Sequence, residues 1–135
     1  MSDLQRFVDA QGRVIARVRE ELKAGEKRSH WMWFIFPQIA GLGRSETARR
    51  YAITSLDEAK AYAGHPVLGP RLRECTALVL GVQGRGAKEI FGHPDDLKFC
   101  SCMTLFARAT NDPLFPQALE KFFGGEEDQE TVMRI

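Results

Sequence analysis

The segment DDLKFCSCMTLFARA, residues 95–109, decides the fold of this chain. Asp95 and Asp96 favour the start of a helix, because negative charges are stabilised at the amino end of the helix macrodipole. Apolar side chains follow on every side of a helical wheel and cannot share one face: Leu97, Phe99, Cys100, Cys102, Met103, Leu105 and Phe106. The pattern therefore predicts a central helix that is packed on several sides.

Helical periodicity continues on both sides of this segment. Residues 4–22 predict one amphipathic helix, or two with a break near Gly12, and residues 114–123 predict another helix. The chain shows no internal repeat and no linker. It is therefore predicted to form a single multihelical domain over residues 1–135, of the all-α class.

Two serines mark the starts of shorter helices in the middle of the chain. Ser45 can cap a helix that follows it. Ser55 and Glu58 form a capping box, in which the serine oxygen accepts an unpaired backbone N–H and the glutamate accepts the N–H of the cap residue. Residues 87–91 predict one more helical turn.

Composition bounds the class of protein and its partners. The chain has 135 residues, which suits one domain, and 44% hydrophobic with 27% charged residues excludes disordered, collagenous and low-complexity proteins. A formal net charge of +1 argues against non-specific binding to nucleic acid or to a membrane surface. No secretory signal is recognisable at the amino terminus, and three cysteines without such a signal indicate reduced thiols. A cytoplasmic location is expected.

The most unusual stretch is SHWMWFIFPQ, residues 29–38. It is too apolar to lie on a surface and too short for a confident helix, and Pro37 disfavours helix in Phe36. We expect a buried segment that is strand-like or irregular.

Polar and aromatic groups in this stretch are also typical of a small-molecule pocket. His30 supplies an imidazole, Trp31 and Trp33 supply flat ring faces, and Gln38 supplies an amide that both donates and accepts hydrogen bonds. Such groups can stack and orient a ring in a ligand. The alternative is an aromatic core segment with a satisfied histidine.

A glycine-rich turn follows. Gly41, Gly43 and Arg44 precede Ser45 and a predicted helix, so backbone N–H groups and a guanidinium could surround a phosphate. The turn lacks the third glycine of a dinucleotide fingerprint and the lysine of a P-loop. A plain turn with a helix cap explains it as well.

The first turns of the central helix carry charged and hydroxyl groups among apolar ones. Capping is the favoured role for Asp95, whereas Asp96 and Lys98 suit either the exposed end of the helix or the polar floor of a cleft. Ser101 and Thr104 lie one turn apart and share a face.

Metal or thiol chemistry is not expected. Cys100 and Cys102 point about 200° apart on a helix and cannot chelate one ion together. The three histidines are well separated in the chain. We therefore predict neither a metal site nor a cofactor.

The motifs of this chain resemble those of the bacterial family catalogued as domain of unknown function 1810, from residue 4 to about residue 128. They are SHWMWFIFPQ (29–38), GLGRS (41–45), YAI (51–53), HPVLG (65–69), RL (71–72), IFGHPDD (90–96), Lys98 and SCMTLF (101–106). The resemblance implies a single-domain, multihelical, cytosolic protein and no established reaction. Members are sometimes labelled calpastatin, which does not suit a compact chain without repeats, because calpastatin-type inhibitors are long, polar and disordered.

Two hypotheses for function follow. The first is a site that binds or hydrolyses a nucleotide-like molecule related to ADP-ribose or NAD. Its catalytic candidates are His30 and Asp96, and its binding candidates are Trp31, Trp33, Gln38, Gly41, Gly43, Arg44, Lys98 and Ser101. The second is a non-catalytic protein-interaction or regulatory module that uses the basic stretch 44–73 or the acidic tail, with a homodimer as one form of it.

Overall fold

Helices account for nearly all regular structure in residues 3–135, the part of the chain that this computed structural model describes. In chain order they are α1 (Gln5–Gly12), α2 (Ile15–Ala24), α3 (Met32–Ile35), α4 (Glu46–Arg50), α5 (Leu56–Gly64), α6 (Leu68–Leu80), α7 (Ala87–Phe91), α8 (Asp95–Ala109), α9 (Leu114–Phe123) and α10 (Gln129–Val132). Within this part of the chain, extended pairing is limited to one isolated parallel bridge between Ile39 and Ile53. The all-α prediction is confirmed. Residues 1 and 2 of the predicted domain lie outside the described range.

The helix α8 lies at the centre of the fold, as predicted. It packs against α5, α7, α9 and α10. Phe99 and all of residues 101–106 are buried, so apolar and small side chains are enclosed on nearly every side of the helix. Phe99 stacks on Phe91 at 4.7 Å between ring centroids and meets Phe36 edge-on at 5.0 Å. These contacts join the Trp-rich segment to the central helix.

The amino-terminal periodicity is divided between two helices, with the break just after Gly12. Phe7 of α1 and Val18 and Leu22 of α2 have no exposed surface and enter the common core. The helix α2 ends at Gly25, whose φ of 73° lies in the left-handed region that favours glycine.

Both predicted serine caps are present. Ser45 Oγ accepts the Ala48 N–H at 3.1 Å, and Ser55 Oγ accepts the Glu58 N–H at 3.1 Å. Glu58 differs from the expected capping box, because its carboxylate accepts the N–H of Thr54 at 2.9 Å. The glutamate thus binds the backbone one residue earlier than the cap.

The Trp-rich segment forms one helical turn, α3, between irregular residues rather than a strand. The N–H groups of Phe34 and Ile35 both donate to the carbonyl of Trp31, at 3.1 and 3.3 Å. A single turn satisfies buried backbone groups where no neighbouring strand is available. Met32 and Ile35 enter the core, and Pro37 follows the turn.

No helix within residues 3–135 has both the length and the apolar composition required to cross a bilayer.

Candidate functional site

A cleft opens where the Trp-rich segment meets residues 48–52. The isolated bridge places these parts of the chain side by side: Ala40 N–H donates to Ile53 O, and Ile53 N–H donates to Gln38 O, both at 2.8 Å. The turn α3 forms one wall, and α8 contributes Lys98. The cleft therefore depends on contacts among residues that are far apart in the chain.

Five of the predicted binding residues line this cleft: Trp33, Gln38, Gly41, Gly43 and Lys98. The remaining lining residues are Met32, Phe36, Ile39, Ala40, Ala48, Arg49, Tyr51 and Ala52. The cavity volume is about 110 Å³. An engineered cavity that accepts a benzene ring is larger, about 150 Å³, so at most one small ring can enter this cavity.

Lys98 lies against the aromatic wall of the cleft. Its Nζ lies 5.4 Å from the centroid of the Trp33 ring, within the range of a cation–π contact. It also pairs with Asp95 Oδ1 at 3.2 Å. The other oxygen of Asp95 pairs with Lys27 Nζ at 2.9 Å, and Lys27 lies 5.3 Å from the centroid of the Trp31 ring. Lys98 lies near the Trp33 ring and Lys27 lies near the Trp31 ring. Both lysines pair with the Asp95 carboxylate, which therefore links the surroundings of the two tryptophans.

The two tryptophans have different environments. Trp33 is half-buried and lines the cleft, so part of its ring can contact a ligand there. Trp31 has no exposed surface and donates its indole N–H to Glu21 at 2.9 Å. Of the two ring-stacking candidates, only Trp33 can meet a ligand in this arrangement.

Glu21 is a buried carboxylate that the sequence reasoning missed. Besides Trp31, it accepts the N–H groups of Arg28 and Ser29 at 2.7 and 3.1 Å, and the Ser29 hydroxyl at 2.6 Å. Burial raises the pKa of Glu21, but these hydrogen bonds outweigh it and hold the pKa below its ordinary value. The sequence did contain a signal for this buried carboxylate. Glu21 lies beside Leu22 on the apolar face of α2, where an acidic residue needs hydrogen-bonding partners.

The two catalytic candidates lie outside the cleft. His30 is exposed and does not line it. Asp96 faces a different side of α8 from Lys98 and contacts the exposed His93, with Asp96 Oδ1 at 3.0 Å from His93 Nδ1. Neighbouring Asp95 was expected to cap α8, and instead forms the side-chain ion pairs with the two lysines. The geometry does not bring His30 and Asp96 together with the stacking surface.

The glycine-rich turn serves packing. An added Cβ at Gly43 would lie 2.4 Å from the Cβ of Ala48, so only glycine allows the turn to approach α4 this closely. Arg44 is exposed and does not line the cleft. Arg49, one turn into α4, does line it and was not predicted. Its place in the basic stretch 44–73 was the available signal.

Ser101 is placed away from the cleft. It is buried, and its Oγ lies 3.1 Å from both Leu97 O and Asp128 Oδ2. Asp128 caps α10 and also donates its N–H to Thr104 Oγ1 at 2.9 Å. The predicted shared face of Ser101 and Thr104 therefore holds the carboxy-terminal turn against α8.

The cleft presents several groups that can bind a ligand. It offers an indole face, an amide and two cations, and none of its lining residues is an aspartate, glutamate, histidine or cysteine. Elsewhere in residues 3–135, no three side chains of the metal-binding types are grouped so that they could hold one ion. Stacking, hydrogen bonding and charge attraction are the interactions available at this site.

Comparison with known proteins identifies relatives of the chain. The crystal structure, at 1.38 Å, of the conserved hypothetical protein Rv1873 from Mycobacterium tuberculosis is similar, with 61% sequence identity and a TM-score of 0.96. The similarity covers 97% of this chain and 94% of that chain. No curated protein matches the chain. The family described as Protein of unknown function (DUF1810) matches residues 1–135, and the chain therefore belongs to that family.

Proposed function

We propose that this protein binds a small ring-containing molecule of the nucleotide or NAD-related class, with the ring stacked on Trp33. The supporting observation is that an accessible indole, the Gln38 amide and the Lys98 ammonium line one cavity. An aromatic face fixes the plane of a ring, and a few polar groups fix its orientation.

The volume of the cavity limits which part of such a ligand can enter it. A cavity of about 110 Å³ takes at most one ring, such as that of nicotinamide or part of a base. The remainder of a dinucleotide or of ADP-ribose would lie along the open side of the cleft. We therefore expect the protein to recognise one ring with its substituent rather than to enclose a whole dinucleotide.

Binding is favoured over hydrolysis. The two candidates for acid–base work, His30 and Asp96, are not among the lining residues. A general base must come within hydrogen-bond reach of the proton that it abstracts. In the proposed function these residues have no chemical role.

A titration with AMP, ADP-ribose, NAD and nicotinamide tests this proposal. Two-dimensional NMR would follow the Trp33 indole signal, and thermal unfolding would follow ligand-induced stabilisation, which is about 2.7 kcal/mol at a ligand concentration 100 times Kd. We expect Trp33→Ala to abolish binding, Trp33→Phe to retain part of it, and the neighbouring exposed control His30→Ala to leave it unchanged. If none of the four compounds moves the Trp33 signal at 5 mM, roughly the weak limit for a specific small ligand, the proposal is wrong.

A second candidate is an interaction module, including a homodimer. The observation in its favour is that three large apolar side chains, Leu97, Met133 and Ile135, are exposed at 54%, 76% and 38%. Sedimentation of the wild type and of Leu97→Glu tests it. A monomer at all concentrations would contradict the dimer.

A further inference from the structure

The lining of the cleft has an unbalanced charge. Lys98 and Arg49 both line it, and no carboxylate does. In a concave site, uncompensated positive groups favour a ligand of opposite charge.

The positive charge of Lys98 is only partly neutralised by its partner. Asp95 is shared, because Oδ2 pairs with Lys27 at 2.9 Å and Oδ1 pairs with Lys98 at 3.2 Å. The Lys27 side chain is 8% exposed, whereas that of Lys98 is 29% exposed. Two ammonium groups thus share one carboxylate, and the group left accessible is the one at the cleft.

Arg49 adds a second cation. It is exposed, and within residues 3–135 its guanidinium forms no salt bridge. It belongs to α4, whereas Lys98 belongs to α8, and both residues line the cleft. An anionic group between them would meet a cation from each helix.

We propose that the cleft selects a ligand whose ring carries a negatively charged oxygen group, either a carboxylate on the ring or a phosphate attached to it, held by Lys98 and Arg49. This inference rests on the proposed function. It adds that the charge of the substituent, and not the ring alone, determines which molecules bind.

Matched pairs of compounds test the inference. Nicotinate and nicotinamide have the same ring and differ in a carboxylate against a neutral amide, and AMP and adenosine differ in a phosphate. We expect each anion to bind about tenfold more tightly than its neutral partner in low salt, because hydrogen bonds to charged groups are the stronger ones. The preference should shrink when the ionic strength is raised from 50 to 500 mM. The nicotinate pair and the AMP pair separate a carboxylate site from a phosphate site.

Single substitutions show which residues produce the preference for the anion. Lys98→Gln and Arg49→Gln should each remove most of the preference for the anion, measured as the ratio of the two affinities within each pair. Lys88→Gln and Arg44→Gln carry the same charge change on exposed residues outside the cleft, and should leave the preference intact. Thermal unfolding of each variant without ligand shows that it is folded.

Each outcome decides between the two proposals. If the neutral compound binds as tightly as the anion in both pairs, ring binding stands and the anion selectivity is overturned. Equal losses in the Arg49→Gln and Arg44→Gln variants would also overturn it, since the effect would then come from total charge. If nicotinate, nicotinamide, AMP and adenosine all fail to bind, this inference fails, and the proposed function fails with it only if NAD and ADP-ribose do not bind either.

Discussion

The indole N–H of Trp31 donates a 2.9 Å hydrogen bond to the carboxylate of Glu21. The same carboxylate accepts two backbone N–H groups and one hydroxyl from residues 28–29. One buried charge on α2 therefore anchors the chain that leads into α3. Since α3 forms a wall of the cleft, this bond also positions the candidate site.

Glu21→Gln is expected to lower the free energy of unfolding by about 2 kcal/mol, because a neutral amide cannot accept all four donors and presents an N–H₂ group to some of them. Urea unfolding measures this loss. Glu20→Gln is the matched control, since Glu20 is the exposed neighbour on the same helix. Equal stability of the two variants would show that the Glu21 network contributes little.

Lowering the pH should reduce the stability of the fold as the Glu21 carboxylate becomes protonated. A carboxyl whose pKa is lowered in the folded state contributes stability that is complete above its unfolded-state pKa and is lost as the pH falls through its folded value. For Glu21 the loss begins near its ordinary value of 4.5 and continues below it. Urea unfolding between pH 6 and pH 3 should therefore show the gap between wild type and Glu21→Gln narrowing. A gap that is constant across this range would contradict the assignment.

Two more carboxyl groups act in the same direction. Hydrogen bonding to Arg108 lowers the pKa of Glu127, and the backbone N–H of Leu114 together with Arg73 lowers that of Asp112. The Glu21→Gln variant should thus retain a smaller acid dependence rather than lose it entirely.

Substitution of Trp31 should reduce stability more than substitution of Trp33. Trp31→Phe removes a fully buried indole and its bond to Glu21, so we expect a loss of roughly 2–3 kcal/mol in stability. Trp33→Phe, at a half-buried position, should change stability by less than about 1 kcal/mol. Thermal and urea unfolding of both variants provide the comparison. The reverse order of effects would mean that Trp33, and not Trp31, belongs to the core.

Gly43→Ala tests the close approach of the glycine turn to α4. The new methyl group would lie 2.4 Å from the Ala48 Cβ, so the turn must shift, at a cost of about 1–3 kcal/mol, and the cleft should change shape. Gly12→Ala is the control, because nothing lies within 4 Å of its added Cβ. We expect Gly12→Ala to be neutral or slightly stabilising. Unfolding measurements in which both variants behave alike would exclude a special steric role for Gly43.

A buried polar pair supports the other side of α3. Tyr62 Oη accepts a 2.8 Å hydrogen bond from Gln11 Nε2, which also donates to Phe34 O at 2.7 Å. Tyr62→Phe should cost about 1 kcal/mol, because it removes an acceptor from a buried amide. Tyr51→Phe, at a half-buried position, serves as control in the same unfolding experiment. A smaller loss for Tyr62→Phe than for Tyr51→Phe would contradict this role.

Local patterns in the sequence were sufficient for most of the helices. The all-round apolar pattern of residues 95–109 predicts α8, and the serine caps at Ser45 and Ser55 begin α4 and α5 as predicted. These features depend on residues three or four apart, which the sequence displays directly. The Trp-rich segment was harder, because a short buried apolar run does not distinguish a helical turn from a strand.

For the candidate site, the sequence likewise predicts the chemical groups but not their arrangement. The residue types that line the cleft, an indole, an amide, glycines and a lysine, are visible in the sequence at positions 33–43 and 98. Which tryptophan faces the cleft is decided by Glu21, ten residues away on α2. Whether Asp96 or Lys98 joins the site is decided by how α8 is rotated about its own axis, and that rotation is set by packing against α5, α7, α9 and α10.

The sequence by itself therefore determined the helical class, the central helix and the chemical groups from which a site could be built, because these depend on periodicity, capping and residue type. Only the tertiary structure decided that Trp31 and Ser101 are enclosed, that His30 lies apart, and that Lys98 and Arg49 face one cavity. The physical reason is that burial and convergence come from long-range packing, which places side chains from distant helices together and which no local pattern encodes.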